Sequence, residues 1–228
     1  MTRFARAFVW VGGGLFVISL AVTAYVYLVR FGEAPPYAGF SAVAVDVALF
    51  SMFAGHHSVF ARDGVKRMMN SLVAERLVRS TYVYIASVLL IITCLAWRPV
   101  GGTVYRATRL PLAVLVAVQL AGLGFIVASV RAIDGLELAG IRQASGVETP
   151  LQVGGPYRVV RHPLYLGWIL AVVGAPHMTG DRLVFAVISS AYLLVAVPWE
   201  ERSLEREFGT SYRRYRQHVR WRVLPFVY

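Results

Sequence analysis

The sequence predicts an all-α polytopic membrane protein. It would have five to six transmembrane helices, the last two forming a C-terminal helical hairpin, with a loop and an amphipathic tail on the cytosolic side. Three observations predict this. Of 228 residues, 57% are hydrophobic and only 15% are charged, too apolar for an ordinary water-soluble domain. The apolar residues gather into six stretches, roughly 8–29, 37–60, 80–97, 110–131, 163–178 and 183–199. The net charge of +11 lies in short segments between those stretches. That distribution fits membrane-surface loops and argues against a nucleic-acid partner.

Each of the first four stretches is long enough to span a bilayer, which takes about 20 residues. The first is followed by no small-residue cleavage site, so it reads as a retained helix rather than a signal peptide. Cys94 is the single cysteine, which excludes an intrachain disulfide and a thiolate metal cluster. The fifth and sixth stretches are short and joined around Gly180 and Asp181, the signature of a helical hairpin, either two short spans or a partly re-entrant pair. Residues 200–222 are helical in pattern, with Glu200, Glu201, Glu205 and Glu207 early and arginines late, interrupted at Gly209. Tyr212, Tyr215 and Trp221 interleave with arginines there, as in a segment lying on lipid headgroups. With the N-terminus inside, 18 of the 23 basic residues fall inside and 5 outside. This bias predicts an integral membrane protein of the bacterial inner-membrane type with both termini cytoplasmic. The organisation divides into an N-terminal four-helix region, 1–131, and a C-terminal core, 132–228. The connector 132–162 is long, and long connectors in compact proteins are often binding loops.

Candidate chemistry concentrates in residues 151–168, LQVGGPYRVVRHPLYLGW. Gly154, Gly155 and Pro156 set a turn. Pro163 suits the first position of a helix, where its missing N–H costs nothing. His162 then sits at a helix mouth, where backbone N–H groups attract anions. Tyr157, Arg161, His162 and Tyr165 read either as an anion- and nucleotide-binding mouth or as an interfacial anchor. Glu200 and Glu201 follow an apolar helix. They could accept hydrogen bonds from ribose hydroxyls or pair with a cation, or they could be a solvated pair with Arg202 and Arg206. Asp46 is an ionisable group inside the second span, a functional candidate by default. His56 and His57 stand at that span's inner end. Adjacent histidines point to different sides of a helix, so no metal site is expected. His177 and His218 read as interfacial. Serine-nucleophile, phosphate-loop and paired-CxxC patterns are absent.

The stretch GPYRVVRHPLYLGW, the pair Glu200-Glu201 and the tail FGTSYRRYRQHV resemble the isoprenylcysteine carboxyl methyltransferase and phospholipid methyltransferase superfamily. The likeness covers about residues 135–225. GHHSVFARDGVKR, ERLVRSTYVYIAS, WRPVGG, GIRQ and the segment around PHMTGDRLVFA are similar to its methanethiol S-methyltransferase branch, which is close to the NnrU-like proteins. The resemblance implies S-adenosylmethionine as cofactor and direct methyl transfer without a metal. It implies Gln143 and Leu151 on the loop side of the cofactor, a cradle of Tyr157, His162, Pro163, Leu164 and Tyr165, and Glu200 on the ribose or amino group. His57 and His162 are the candidate proton acceptors, and Asp46 and His57 the candidate substrate residues. The acceptor would be a small thiol such as methanethiol. The alternatives are an isoprenoid or prenylcysteine carboxylate, a phospholipid amine, or a non-catalytic accessory role. Two departures are visible. Ala196 stands where prenylcysteine enzymes place an arginine one turn before the acid pair. His56-His57 replaces a Gln-His pair usual in the thiol branch.

Overall fold

The computed structural model describes residues 2–60, 65, 68, 69, 71, 73–133, 135–141 and 150–228. Among the described residues the longer helices are α1 (Arg3–Leu28), α2 (Phe40–Phe60), α3 (Glu75–Ala96), α4 (Arg109–Ala132), α5 (Pro163–Val173) and α6 (Gly180–His218). Two short strands, β1 (Thr103–Arg106) and β2 (His177–Thr179), pair antiparallel. Among the described residues, five helices (α1–α4 and α6) are long and apolar enough to cross a bilayer. Trp10, Val17 and Leu20 on α1 and Leu110, Leu120 and Leu123 on α4 are exposed. Apolar surface on that scale calls for lipid around it. The protein is therefore an all-α, polytopic integral membrane protein.

The chain divides into two compact units, one of Met1–Gly102 with Gly135–Glu148, the other of Thr103–Asp134 with Thr149–Tyr228. In the first, Thr2 caps α1 by accepting the Ala5 N–H at 3.2 Å. Phe8 stacks on Tyr84 of α3 at 5.6 Å between ring centroids. Thr23 meets Cys94 at 3.5 Å, oxygen to sulfur. The α2 helix joins α3 through Asp46, whose Oδ1 accepts the Arg98 N–H at 2.8 Å just past the end of α3.

In the second unit, α4 and α5 pack backbone against backbone. A Cβ added at Gly122 would lie 2.6 Å from the Gly167 oxygen, and one added at Gly174 would lie 2.7 Å from the Gln119 nitrogen. Small residues at such a crossing let membrane helices approach closely. Gln119 Nε2 completes it, donating to the Ala171 oxygen at 3.0 Å. Trp168 Nε1 donates to Ser189 Oγ at 3.0 Å, joining α5 to α6. Buried Val160, Leu166, Val197 and Val223 form the core beneath this hairpin.

Two boundaries differ from the sequence reading. The fifth apolar run, expected over 163–178, is helical only to Val173. Pro176 lacks an N–H and disfavours helical backbone at the residue before it, so the chain turns at Gly174 and continues as β2. The sixth helix starts at Gly180, where Thr179 Oγ1 accepts the Arg182 N–H at 3.2 Å, and runs on to His218. It passes Pro198 and bends at Gly209, where φ is 52°.

Candidate active site

The hairpin brings the start of α5 beside the midpoint of α6. His162 precedes Pro163 as the N-cap residue of α5, and its carbonyl accepts the N–H groups of Tyr165 and Leu166, each at 3.1 Å. The His162 ring is 4% exposed and stacks on Tyr165 at 5.4 Å between centroids. Tyr165 Oη donates to Glu200 Oε2 at 2.5 Å. His162 Nδ1 stands 3.7 Å from the same oxygen. On the other side, His162 Nε2 lies 3.6 Å from Glu201 Oε1 and is buried without a hydrogen-bond partner among the described residues.

The two acids are neighbours in sequence but about 100° apart around the helix, and they face different surroundings. The Glu200 side chain is 42% exposed. Glu201 is 5% exposed and has both oxygens engaged. Its Oε1 accepts from Arg161 Nε at 2.6 Å and its Oε2 from Arg222 Nε at 3.1 Å. Burial works against the Arg222 charge, but Glu201 and the Tyr228 hydroxyl more than offset it, and the Arg222 pKa is raised. Glu200 is the carboxylate available to a ligand, and Glu201 is the one bound into the protein.

Leu151 and Tyr157 form one wall with the C-terminal part of α6. Both pack on the buried cluster Tyr212, Tyr215 and Val219, and Tyr215 Oη donates to the Tyr157 oxygen at 2.7 Å. Burial, and after it the Glu200 charge, push the Tyr157 phenol upward, so it stays neutral. Pro163 is fully buried, and Leu164 is half-buried. Of the residues expected at a cofactor site, His162, Tyr165 and Glu200 meet directly. Gln143 lies outside the described residues.

A partly exposed carboxylate beside stacked aromatic rings and a buried imidazole suits a cationic ligand with hydroxyl or amino groups. Known proteins carry the same stretch. A model of the phospholipid methyltransferase family matches residues 141–211, which include His162, Tyr165 and both acids. Methanethiol S-methyltransferase 2 of Bradyrhizobium diazoefficiens is 37% identical over 185 residues, spanning 78% of this chain and 71% of that protein. The methanethiol S-methyltransferase of Mycobacterium tuberculosis is 34% identical over 230 residues, spanning 90% and 94%. That of Pseudomonas deceptionensis is 37% identical over 186 residues, spanning 78% and 71%. The chain belongs to the methanethiol S-methyltransferase branch of the phospholipid methyltransferase superfamily. It is a membrane methyltransferase. No solved structure matches it.

The methyltransferase holds its remaining candidates, Asp46 and His57, in the other unit, both on α2. Asp46 is fully buried and accepts the Arg98 N–H. His57 lies at the far end of α2, with Nδ1 2.6 Å from Tyr82 Oη. Eleven residues separate them, about 16 Å along the helix, so one small acceptor cannot touch both. His56 packs between Phe60 and Tyr82, at 4.3 and 5.6 Å between centroids. Both its ring nitrogens are buried without a hydrogen bond among the described residues.

The sequence reading missed Arg222 as a partner of Glu201. It also missed the pairing of the tail with residues 161 and 162. Arg161 N donates to the Trp221 oxygen at 2.9 Å and His162 N to the Arg222 oxygen at 2.8 Å. Seven arginines after residue 201 gave no way to single out Arg222. The available signal was Val223 and Leu224, an apolar pair beyond the amphipathic stretch that invites return to the core.

Proposed function

We propose that this methyltransferase transfers a methyl group from S-adenosylmethionine to a small thiol, with methanethiol, the acceptor named for its relatives, as the first candidate. One observation supports the donor assignment above others. Glu200, the exposed member of the acid pair, lies against a stacked His162–Tyr165 pair, bonded to Tyr165 Oη and 3.7 Å from His162 Nδ1. These groups fit a sulfonium cation that also carries ribose hydroxyls, an amino group and an adenine ring. In this reading Glu200 holds the ribose or amino group. Tyr157, His162, Pro163, Leu164 and Tyr165 cradle the cofactor, with Leu151 and Gln143 on the loop side.

S-adenosylmethionine, when bound, supplies a methyl group already activated for attack by sulfur. The protein's part is placement, which can supply roughly 7–11 kcal/mol when reacting groups are held in line. The thiol sulfur would gain the methyl carbon and lose its proton, giving a thioether, while the donor's S–CH3 bond breaks and S-adenosylhomocysteine leaves. A free thiol has a pKa of about 8.5, so a nearby base assists at neutral pH. His162 is the candidate beside the cofactor residues, and His57, bonded to Tyr82, is the candidate on the acceptor side. Asp46 remains a substrate candidate, in competition with its visible bond to Arg98. A carboxylate substrate is disfavoured, because Ala196, four residues before Glu200 on α6, offers it no cation. The arginine asymmetry supports a site that opens to the cytoplasm of a bacterial inner membrane, with both termini on that side. The family match over residues 141–211 supports a methyltransferase core within 132–228.

The test uses purified protein in detergent. Isothermal calorimetry should detect S-adenosylhomocysteine, and labelled S-adenosylmethionine with methanethiol should yield dimethyl sulfide. Absence of cofactor binding would refute the donor assignment. Transfer to a phospholipid amine in place of the thiol would refute the acceptor.

A further inference from the structure

Glu201 and the tail it holds stand outside the cofactor contacts, yet they end on His162. The tail from Val219 to Tyr228 crosses under the start of α5. Arg161 donates from Nη1 to the oxygens of Val219 and Arg220 at 2.9 and 2.8 Å. Its Nε bonds Glu201, and its own backbone N–H bonds Trp221. The next residue, His162, gives its N–H to the Arg222 oxygen. Arg222 returns to Glu201 through Nε. Its guanidinium also lies over the Tyr228 ring at 5.0 Å and donates to the Tyr228 hydroxyl at 3.1 Å. Val223, fully buried, pins the tail into the core.

We infer that Glu201, with Arg161 and Arg222, is a positioning group that fixes the backbone of His162 through the C-terminal tail and thereby sets cofactor affinity, while making no cofactor contact itself. The inference rests on the cofactor reading above. The physical ground is geometric. The backbone pairing at residues 161 and 162 resembles a two-residue ladder. So short a ladder holds only if something stops the tail from peeling away. A buried carboxylate bridging two arginines from opposite sides does that, and it is costly to leave half-made. Glu201 also lies 3.6 Å from the His162 ring, so a loosened tail frees backbone and ring together.

The experiment compares wild type, Glu201→Gln and Arg222→Lys. Glutamine removes the charge that both arginines need. Lysine keeps a charge but cannot reach Glu201 and the Tyr228 hydroxyl at once, as the planar guanidinium does. The first readout is hydrogen exchange of the peptide containing residues 159–166. Exchange should speed up at least tenfold in Glu201→Gln and less in Arg222→Lys, with the α4–α5 crossing unchanged. The second is S-adenosylhomocysteine affinity, which should fall at least tenfold and about threefold, with the thiol KM within twofold of wild type. A role confined to folding would lower the fraction of active protein and leave the dissociation constant of the survivors unchanged. That result overturns the inference, as does unchanged exchange at 159–166 in either folded variant. If Glu201→Gln does not fold, Arg222→Lys decides, because Arg222 is partly exposed and leaves the Arg161–Glu201 pair in place. Wild type that ignores S-adenosylhomocysteine removes the cofactor reading instead. The exchange readout still reports whether the tail holds His162.

Discussion

The α4–α5 crossing offers a sharp test because two glycines on one helix should respond with opposite sign. A Cβ at Gly122 would lie 2.5 Å from the Ala171 nitrogen and 2.6 Å from the Gly167 oxygen, whereas at Gly124 nothing lies within 4 Å. The obstructing atoms at Gly122 are backbone and cannot rotate aside. Alanine there must push the helices apart by roughly 1 Å to reach ordinary contact. That would stretch the 3.0 Å bond from Gln119 to Ala171 past useful range, a loss of about 1 kcal/mol. Overpacking adds about 1–3 kcal/mol. The helix-propensity gain of alanine over glycine, about 1 kcal/mol, offsets part of this. Gly122→Ala should therefore destabilise by about 1–3 kcal/mol. Gly124→Ala should stabilise by up to about 1 kcal/mol. Thermal unfolding in detergent, followed by circular dichroism, reads both, at about 2–4 °C per kcal/mol for a chain of this size. Gly122→Ala should also weaken donor binding, since α5 carries His162 at its start. A melting temperature that rises in both variants would show that the crossing is not packed this closely.

Other expectations follow from single contacts. Tyr165→Phe removes the hydrogen bond to Glu200 but keeps the ring on His162. It should raise the donor KM by about tenfold, the low end of the roughly 1.5–3 kcal/mol of a hydrogen bond to a charged group because Glu200 is partly exposed, with little change in the thiol KM. Gly209→Ala meets no neighbouring atom but places a Cβ at φ 52°. It should lower stability by about 1–2 kcal/mol, read as a lower melting temperature. Asp46→Asn keeps an acceptor for the Arg98 N–H and should unfold close to wild type. Asp46→Ala leaves that N–H without its partner and should cost about 1–3 kcal/mol. A large loss of turnover in Asp46→Asn at unchanged stability would instead assign Asp46 to the acceptor.

What could be read in advance followed from strong local signals. The four long apolar runs became α1 to α4, because a span needs little beyond length and hydropathy. Pro163 marked the start of α5 with no tertiary information, and Gly209 marked the break in α6. The end of α5 was misplaced because hydropathy alone does not separate a helix from the strand after it. Residues 174–178 remain largely apolar, but Pro176 and pairing with β1 decide their shape. Tertiary partners were the larger gap. Composition and spacing did not separate Glu200 from Glu201; only the family resemblance singled out Glu200. Nothing local says which of seven downstream arginines returns to one of them.

In the proposed reading, the separation of that pair lets one helix serve two purposes at a single level. A carboxylate used to bind a cationic ligand must stay partly solvated, or its desolvation would cancel the attraction. A carboxylate used as a brace must be buried and fully bonded, because exposed ion pairs contribute little. One residue cannot meet both demands. Two consecutive residues can, since the helix turns them about 100° apart, Glu200 toward Tyr165 and Glu201 toward Arg161 and Arg222. His162 lies between them, within 3.7 Å of one and 3.6 Å of the other. Glu200→Gln with Glu201 intact should weaken donor binding while leaving hydrogen exchange at 159–166 unchanged. The reverse substitution should disturb both, and equal effects from the two would mean that the acids act as one group.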